Sequence, residues 1–262
     1  MVYVDYDYQD QDQNWSGSSH APSADNDDKN LQTYFAALGV QYMFNRSWGV
    51  QAELPYDFRY FKGTDGAGNV SSTSWSQFGD LRIKGIYTGF SEDMSIGMTF
   101  GLKLPTGDYN HDSFLVDRDT QIGTGSTDVL VGGFFRHQLT SDNSWGWFAQ
   151  DELDVPTLTQ AGYRPGVEND AAAGIHYNKL SLGHVRITPL AQVIGSWRGH
   201  DDGSAADPDT TGYGRVLLSP AIEFDAHPWR VYGDVEFPVY QYFRGDQLSA
   251  SALFKLIASY SF

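Results

Sequence analysis

The stretch Val2-Tyr3-Val4-Asp5-Tyr6-Asp7-Tyr8-Gln9 decides the fold. Val2, Val4, Tyr6 and Tyr8 fall on one side of an extended chain, and Tyr3, Asp5, Asp7 and Gln9 on the other. A period of two means a strand with one apolar and one polar face. The same alternation returns at Tyr34, Ala36, Leu38, Val40, Tyr42 and Phe44, set against Thr33, Gly39 and Gln41. It returns again at Trp48, Val50, Ala52, Leu54, Tyr56, Phe58 and Tyr60, set against Gln51, Glu53, Asp57 and Arg59. Further strands are predicted over 78–89, 94–105, 126–138, 145–155, 170–178, 184–198, 212–224, 229–242 and 249–262. That makes twelve, an even number.

Composition agrees with this reading. The 262 residues include 28 Gly, 16 Tyr, 16 Phe and 7 Trp, material for twisted strands and turns rather than helices. There is no cysteine, which excludes a disulfide scaffold and a Cys-zinc site. Lys and Arg number 17 against 33 Asp and Glu, a net charge of −16, so a polyanionic nucleic acid is not an expected partner. No apolar run approaches the length of a membrane-spanning helix. Mean hydropathy is −0.41, and a transmembrane barrel keeps so modest an average because its membrane signal is hidden in alternation. Met1-Val2-Tyr3-Val4-Asp5 shows no basic region followed by an apolar core, so the chain reads as mature or trimmed.

The connections alternate as well. Short links are expected at 45–47, 91–93, 140–144, 179–183 and 225–228. Long polar ones are expected over 10–30, 63–77, 106–125, 156–169 and 199–211, with a shorter one at 243–248. Long loops on one side and tight turns on the other are the pattern of outer-membrane barrels. Aromatic residues fall at strand ends, with Phe44, Trp48, Trp145, Trp147, Trp229, Tyr260 and Phe262 on the short-turn side. Tyr8, Tyr34, Tyr60 and Trp197 fall on the other. Amphipathic rings favour the boundary between headgroup and hydrocarbon, so two girdles are expected. The fold class is therefore all-β: a transmembrane antiparallel up-and-down barrel, with residues 1–262 forming one outer-membrane domain.

The last strand, with Ala250, Ala252, Phe254, Leu256, Ala258, Tyr260 and Phe262 on one parity, resembles the C-terminal signature read by the bacterial outer-membrane assembly machinery. Phe78-Gly79-Asp80-Leu81-Arg82-Ile83-Lys84 and Gly101-Leu102-Lys103-Leu104-Pro105-Thr106-Gly107-Asp108 are similar to a G-D-L … L-P-T-G-D pattern. They resemble the outer-membrane transporter family named for the MetA-pathway of phenol degradation. That resemblance implies a channel for aromatic or hydrophobic cargo and carries over no catalytic residue.

Parity assigns inward charges in near balance. The acids are Asp5, Asp7, Glu53, Asp57, Asp80, Asp128, Glu152, Asp154, Glu223, Asp234 and Glu236. The bases are Arg59, Arg82, Lys84, Lys103, Arg136, Arg186, Arg198, Arg215, Arg230 and Lys255. Cross-strand pairing inside the barrel is expected, because buried charge of one sign is costly. Glu53, Asp57, Arg59, Arg82, Lys84, Arg186, Arg215, Glu223, Arg230, Asp234 and Glu236 are the expected pore lining. Twelve strands stand between filled eight-strand barrels and open sixteen-strand porins, so either a narrow pore or a salt-bridged plug fits. The acid surplus lies in the predicted outer loops, at Asp10, Asp12, Asp25, Asp27, Asp28, Asp201, Asp202, Asp207 and Asp209. Such loops concentrate cations, or divalent cations bridge them to lipopolysaccharide.

Pro55, Pro189, Pro220 and Pro238 fall inside predicted strands, where each removes a ladder donor. Pro189 and Pro220 are expected on neighbouring strands at similar depth, a candidate lateral seam. An enzyme is the rival class, since some barrels hydrolyse lipid with Ser and His on the lipid face. No histidine has a matching outward Ser in this register, and His111-Asp112-Ser113 is too local for a triad. His176 and His184 are expected to approach each other across one hairpin. Asp151 takes the lipid-facing parity, which predicts a bulge or register slip there. The sequence thus points to a monomeric channel in a Gram-negative outer membrane with no cofactor. Its partners are membrane lipid, lipopolysaccharide and a small solute, and a closed structural or adhesive barrel is the remaining alternative.

Overall fold

The computed structural model describes residues 1–65, 67–111 and 116–262. The strands are β1 (Val2–Gly17), β2 (Ser19–His20), β3 (Asp28–Met43), β4 (Trp48–Thr64), β5 (Val70–Phe78), β6 (Leu81–Tyr87), β7 (Ile96–Leu104), β8 (Ser126–Gln138), β9 (Trp145–Thr159), β10 (Glu168–Tyr177), β11 (Leu180–Leu182), β12 (Val185–Arg198), β13 (Tyr213–Ala226) and β14 (Trp229–Tyr260). No helix among the described residues is long and apolar enough to cross a membrane. The neighbours run β1–β3–β4–β6–β7–β8–β9–β10–β12–β13–β14 and back to β1, all antiparallel, a closed ring of 11 strands with β2, β5 and β11 outside it.

The twelfth crossing is inside β14. This strand is 32 residues long. Its first half pairs with β13, from Ala226↔Trp229 to Tyr213↔Phe243, and its second with β1, from Gly17↔Phe243 to Val2↔Tyr260. A straight strand would hold its ends roughly 100 Å apart. Instead the Trp229 and Tyr260 rings lie 5.0 Å apart, so β14 is a hairpin. It folds back at Arg244-Gly245, where Gly245 has φ +70°, a left-handed conformation that a glycine adopts without strain.

The faces follow the alternation. Val2, Val4, Tyr6, Leu38, Val40, Ile222, Phe224 and Leu256 are exposed on the outside, while Thr33, Asp57, Gln192, Ser219 and Asp234 are buried within. Water cannot satisfy backbone groups in hydrocarbon, and a closed ladder satisfies all of them internally. Trp48 with Tyr87 (4.7 Å), Phe135 with Trp147 (4.9 Å) and Trp145 with Tyr177 (5.1 Å) form an aromatic belt at the short-turn end. Tyr8 with Tyr34 (4.8 Å) and Tyr34 with Phe58 (5.6 Å) begin the second belt. The turns carry their own caps. Hydrogen bonds from Thr140 and Ser144 hold the Asp142 carboxyl down at about 2.

Four features depart from the sequence reading. β1 runs on to Gly17 and β3 starts at Asp28, so Asp10 and Asp12 lie in a strand rather than in a loop. Asp10 accepts hydrogen bonds from Asn30 and Gln32 of β3. The expected loop over 63–77 contains β5, which pairs with the far half of β4 while β6 takes the near half. The expected bulge at Asp151 is absent, because the β8–β9 register is unbroken from Asp128↔Pro156 to Gln138↔Gly146. Asp151 stays outside and accepts a hydrogen bond from Asn169 Nδ2 at 2.9 Å. A bulge lies instead in β14. Val216 faces Tyr240 and Leu217 faces Pro238, so Val239 is the extra residue, and Tyr240 and Tyr242 turn outward.

The break between β5 and β6 sits where both sequence motifs meet. Gly79 N–H donates to Pro55 O at 3.0 Å, and a Cβ there would stand 2.9 Å from Pro55 Cγ. Asp80 was expected in the lumen, but it serves as a clasp. Its Oδ1 accepts Gly107 N–H at 2.9 Å, and its Oδ2 accepts Thr124 N–H at 2.8 Å and Thr124 Oγ1 at 2.6 Å. One buried carboxylate thus ties the start of β6 to both ends of the 105–125 loop. Asp80→Ala leaves those three donors without an acceptor and is expected to cost about 3 kcal/mol. The check is the temperature at which the detergent-solubilised barrel loses its compact mobility on a gel, with Asp80→Asn falling between the two.

Candidate functional site

The lumen divides into a packed half and an open half. In the packed half, Lys103 on β7 sits between Asp128 on β8 and Asp154 on β9, its Nζ 2.9 Å from Asp154 Oδ2. From β6, Lys84 reaches Glu152 on β9 at 2.6 Å. Arg82 reaches Glu152 at 3.5 Å and Asp154 at 3.9 Å. β6 and β9 are separated in the wall by β7 and β8. These bridges therefore cut across the arc of the barrel and fill it. Inward side chains of opposite sign make this possible, and each ion is satisfied only by its neighbours.

The open half is a cavity of about 920 Å³ lined from β1, β3, β4, β9, β10, β12, β13 and β14. Glu53, Asp57, Arg59, Arg215, Glu223, Arg230, Asp234 and Glu236 all line it. Arg82 and Lys84 belong to the packed half. Arg186 is exposed at the short-turn end, opposite Asp225. Within the cavity Lys255 Nζ bridges Asp7 at 2.9 Å and Asp5 at 3.4 Å. Arg230 bridges Asp225 at 3.4 Å and Glu223 at 3.6 Å. Arg215 lies over the Tyr213 ring at 4.9 Å. Asp170 also lines the cavity and was not among the expected residues. Its shared parity with Ala172, Gly174 and His176 was the available signal.

The described parts of the 105–125 connection, 105–111 and 116–125, cap the long-loop end. Val116 and Ile122 pack on Phe61 and Trp75. Arg118 stands between the rings of Tyr163 (4.4 Å) and Tyr109 (4.7 Å). Arg59 donates to the carbonyls of Thr120 and Gln121, which draws this loop over the mouth. Arg198 was expected to face the lumen. It donates to Asp201 at 2.8 Å, and Asp201 also accepts Tyr163 OH at 2.6 Å and Gly166 N–H at 2.7 Å. Beneath this cap is a second cavity of about 160 Å³ between Arg59, Lys103, Arg198, Asp119, Asp128 and Glu168.

The histidine pair does not form. His176 lies opposite Leu190 and hydrogen-bonds Asn178 at 2.9 Å, whereas His184 sits beyond β11 at the tip of the hairpin. His111 stacks on Trp75 at 4.8 Å, and Asp112 and Ser113 lie outside the described residues. Among the described residues no group of three or more His, Asp or Glu has the spacing to hold a metal ion. Pro189 and Pro220 are on neighbouring strands as expected, facing Ile222 and Ala191 in a continuous β12–β13 register. The interruption is on the other side of Pro220. Between Leu218↔Phe237 and Ala221↔Asp234, the β13–β14 ladder lacks the rungs that would join Ser219 and Pro220 to Val235 and Glu236.

No family model matches the sequence, and no curated protein matches it. Solved structures do match the fold. An outer membrane channel from Pseudomonas putida F1 superposes with a TM-score of 0.71 at 15% identity, over 100% of this chain and 94% of that one. The β domain of the Bordetella autotransporter BrkA gives 0.59 at 11% identity, covering 100% and 98%. The transport unit of the autotransporter AIDA-I from Escherichia coli gives 0.52 at 12% identity, covering 100% and 90%. The chain therefore has the fold of outer-membrane β-barrel proteins.

Lys103→Met removes the cation from between two buried carboxylates and is expected to destabilise the barrel by about 3–5 kcal/mol. Adding Asp128→Asn and Asp154→Asn to that variant is expected to restore most of the loss. Urea midpoints in detergent for the single and triple variants provide the comparison.

Proposed function

We propose that this protein is a monomeric channel of a Gram-negative outer membrane that carries small solutes by passive diffusion. The observation that carries this reading is the cavity of about 920 Å³ inside a closed, lipid-facing wall, lined by charged groups rather than filled by them. We further assign the chain to the transporter family named for the MetA-pathway of phenol degradation. The support is that its two motifs form one structural unit, the Asp80 clasp. Aromatic or hydrophobic cargo is supported by Phe35, Phe148, Leu190, Leu217 and Leu253, which line the cavity beside the charges. With half the lumen bridged, the pore is narrow. Planar-bilayer recording is expected to give discrete conductance steps well below those of open sixteen-strand porins. Membranes that remain silent under a full voltage range would refute the channel.

A second exit is favoured by one observation, the two missing rungs beside Pro220. Pro220 then marks the β13–β14 seam through which an apolar solute leaves sideways into the membrane, with Pro189 one strand away on the continuous β12–β13 side. The Pro189→Ala, Pro220→Ala double variant is expected to take up a hydrophobic solute more slowly at unchanged ionic conductance. Equal uptake by both proteins would retire the lateral route.

A further inference from the structure

The open half of the lumen carries a charge imbalance that the whole barrel does not. Eight carboxylates line it against four Lys and Arg, because the bases of the packed half are spent on Glu152, Asp154 and Asp128. The strand registers place several of these groups on one level. Asp57 on β4 faces Phe35 on β3, Phe35 faces Asp7 on β1, and Asp7 faces Lys255 in the second half of β14. The β14 hairpin brings Trp229 against Tyr260, and Gly233 beside Leu256 and Lys255, which puts Asp234 across from Lys255. Around one wall the order is therefore carboxylate, aromatic ring, carboxylate, ammonium, carboxylate.

Lys255 does not neutralise this row. Its bridges go to Asp5 and Asp7. Asp57 and Asp234 are 5% and 7% exposed, both line the cavity, and in each Oδ1 has no hydrogen-bond partner. Asp234 Oδ2 accepts from Tyr232 OH and from Gln192 Nε2 at 3.1 Å, which holds the carboxylate in place and leaves its other oxygen free. A buried carboxylate oxygen without a donor is costly, and a solute cation is the group that would relieve it. A bare divalent ion is a poor fit, since no three acidic side chains among the described residues converge as ligands. An organic ammonium fits better. Its N–H groups match separated carboxylates, and its apolar body matches Phe35 and the aliphatic lining, with the ring face adding cation–π attraction.

We propose that the open lumen is a cation-selective path with binding stations for small amphipathic ammonium ions, one at Asp57 beside Phe35 and a second at Asp234 further round the wall. This rests on the channel reading above and names its solute class. The test is reversal potential in planar bilayers under a tenfold KCl gradient. It is repeated with phenethylammonium replacing potassium and with benzenesulfonate replacing chloride. The expected result is a several-fold preference for potassium over chloride, current carried by phenethylammonium, and little carried by benzenesulfonate. Asp57→Asn with Asp234→Asn is expected to move the potassium-to-chloride ratio toward unity. Glu236→Gln, which alters neither residue, is expected to give a smaller shift in the same direction. Conductance without cation preference, or benzenesulfonate passing as readily as phenethylammonium, overturns the proposal and leaves the channel standing. A protein that conducts nothing overturns the channel and the proposal together.

Discussion

A peptide group in hydrocarbon has no solvent to bond with, and every other feature of this molecule follows from that requirement. An open sheet would leave two rows of unpaired donors and acceptors in the lipid. Joining β1 to the end of β14 removes both rows at once. Closure in turn fixes the side chains, since a strand that is part of a cylinder must send alternate residues to lipid and to the interior. Exposed Leu38, Val40 and Leu256 and buried Asp57, Gln192 and Asp234 are two outcomes of the same geometry.

Closure alone leaves the interior undecided, and there electrostatics divides the space. Lys84, Arg82 and Lys103 reach across the arc to Glu152, Asp154 and Asp128, so one side of the lumen is crossed by ion pairs. These pairs persist because breaking one strands its partner in a low dielectric. The opposite wall has more acids than local bases, and it stays hollow. The cap adds a third level of control. Arg59 and Asp80 hold the 105–125 loop by its carbonyls and amides, which shapes the mouth without side-chain packing alone.

The membrane-spanning part was legible in the sequence because lipid enforces the period of two. Val2–Tyr8 and Trp48–Tyr60 announce their strands and both faces of them. Legibility stops where lipid stops. Gln9 to Gly17 and Val70 to Phe78 form strands of mostly polar residues whose covered faces, at Asn14 and Trp75, are buried by other loops rather than set by lipid, so their composition reads as loop. Asp80 has the parity of a lumen residue, but the chain breaks at Gly79, and parity does not survive a break. The turn within β14 follows from the polar stretch at 243–248, and Pro238, next to the extra residue Val239, is the mark in the sequence of the bulge there. Asp151 shows the opposite error. A carboxylate on the lipid face suggested a slip in register, whereas Asn169 receives it and the ladder runs straight through.

The seam between β1 and β14 joins the parts of the chain that lie furthest apart in sequence. Lys255 and Asp5, which meet across it, are separated by 250 positions. Without this pairing the sheet carries two naked edges and an unshielded greasy back, a state prone to sticking to other copies of itself. A route of assembly that brings both ends of the chain together early would spare the wall that exposure.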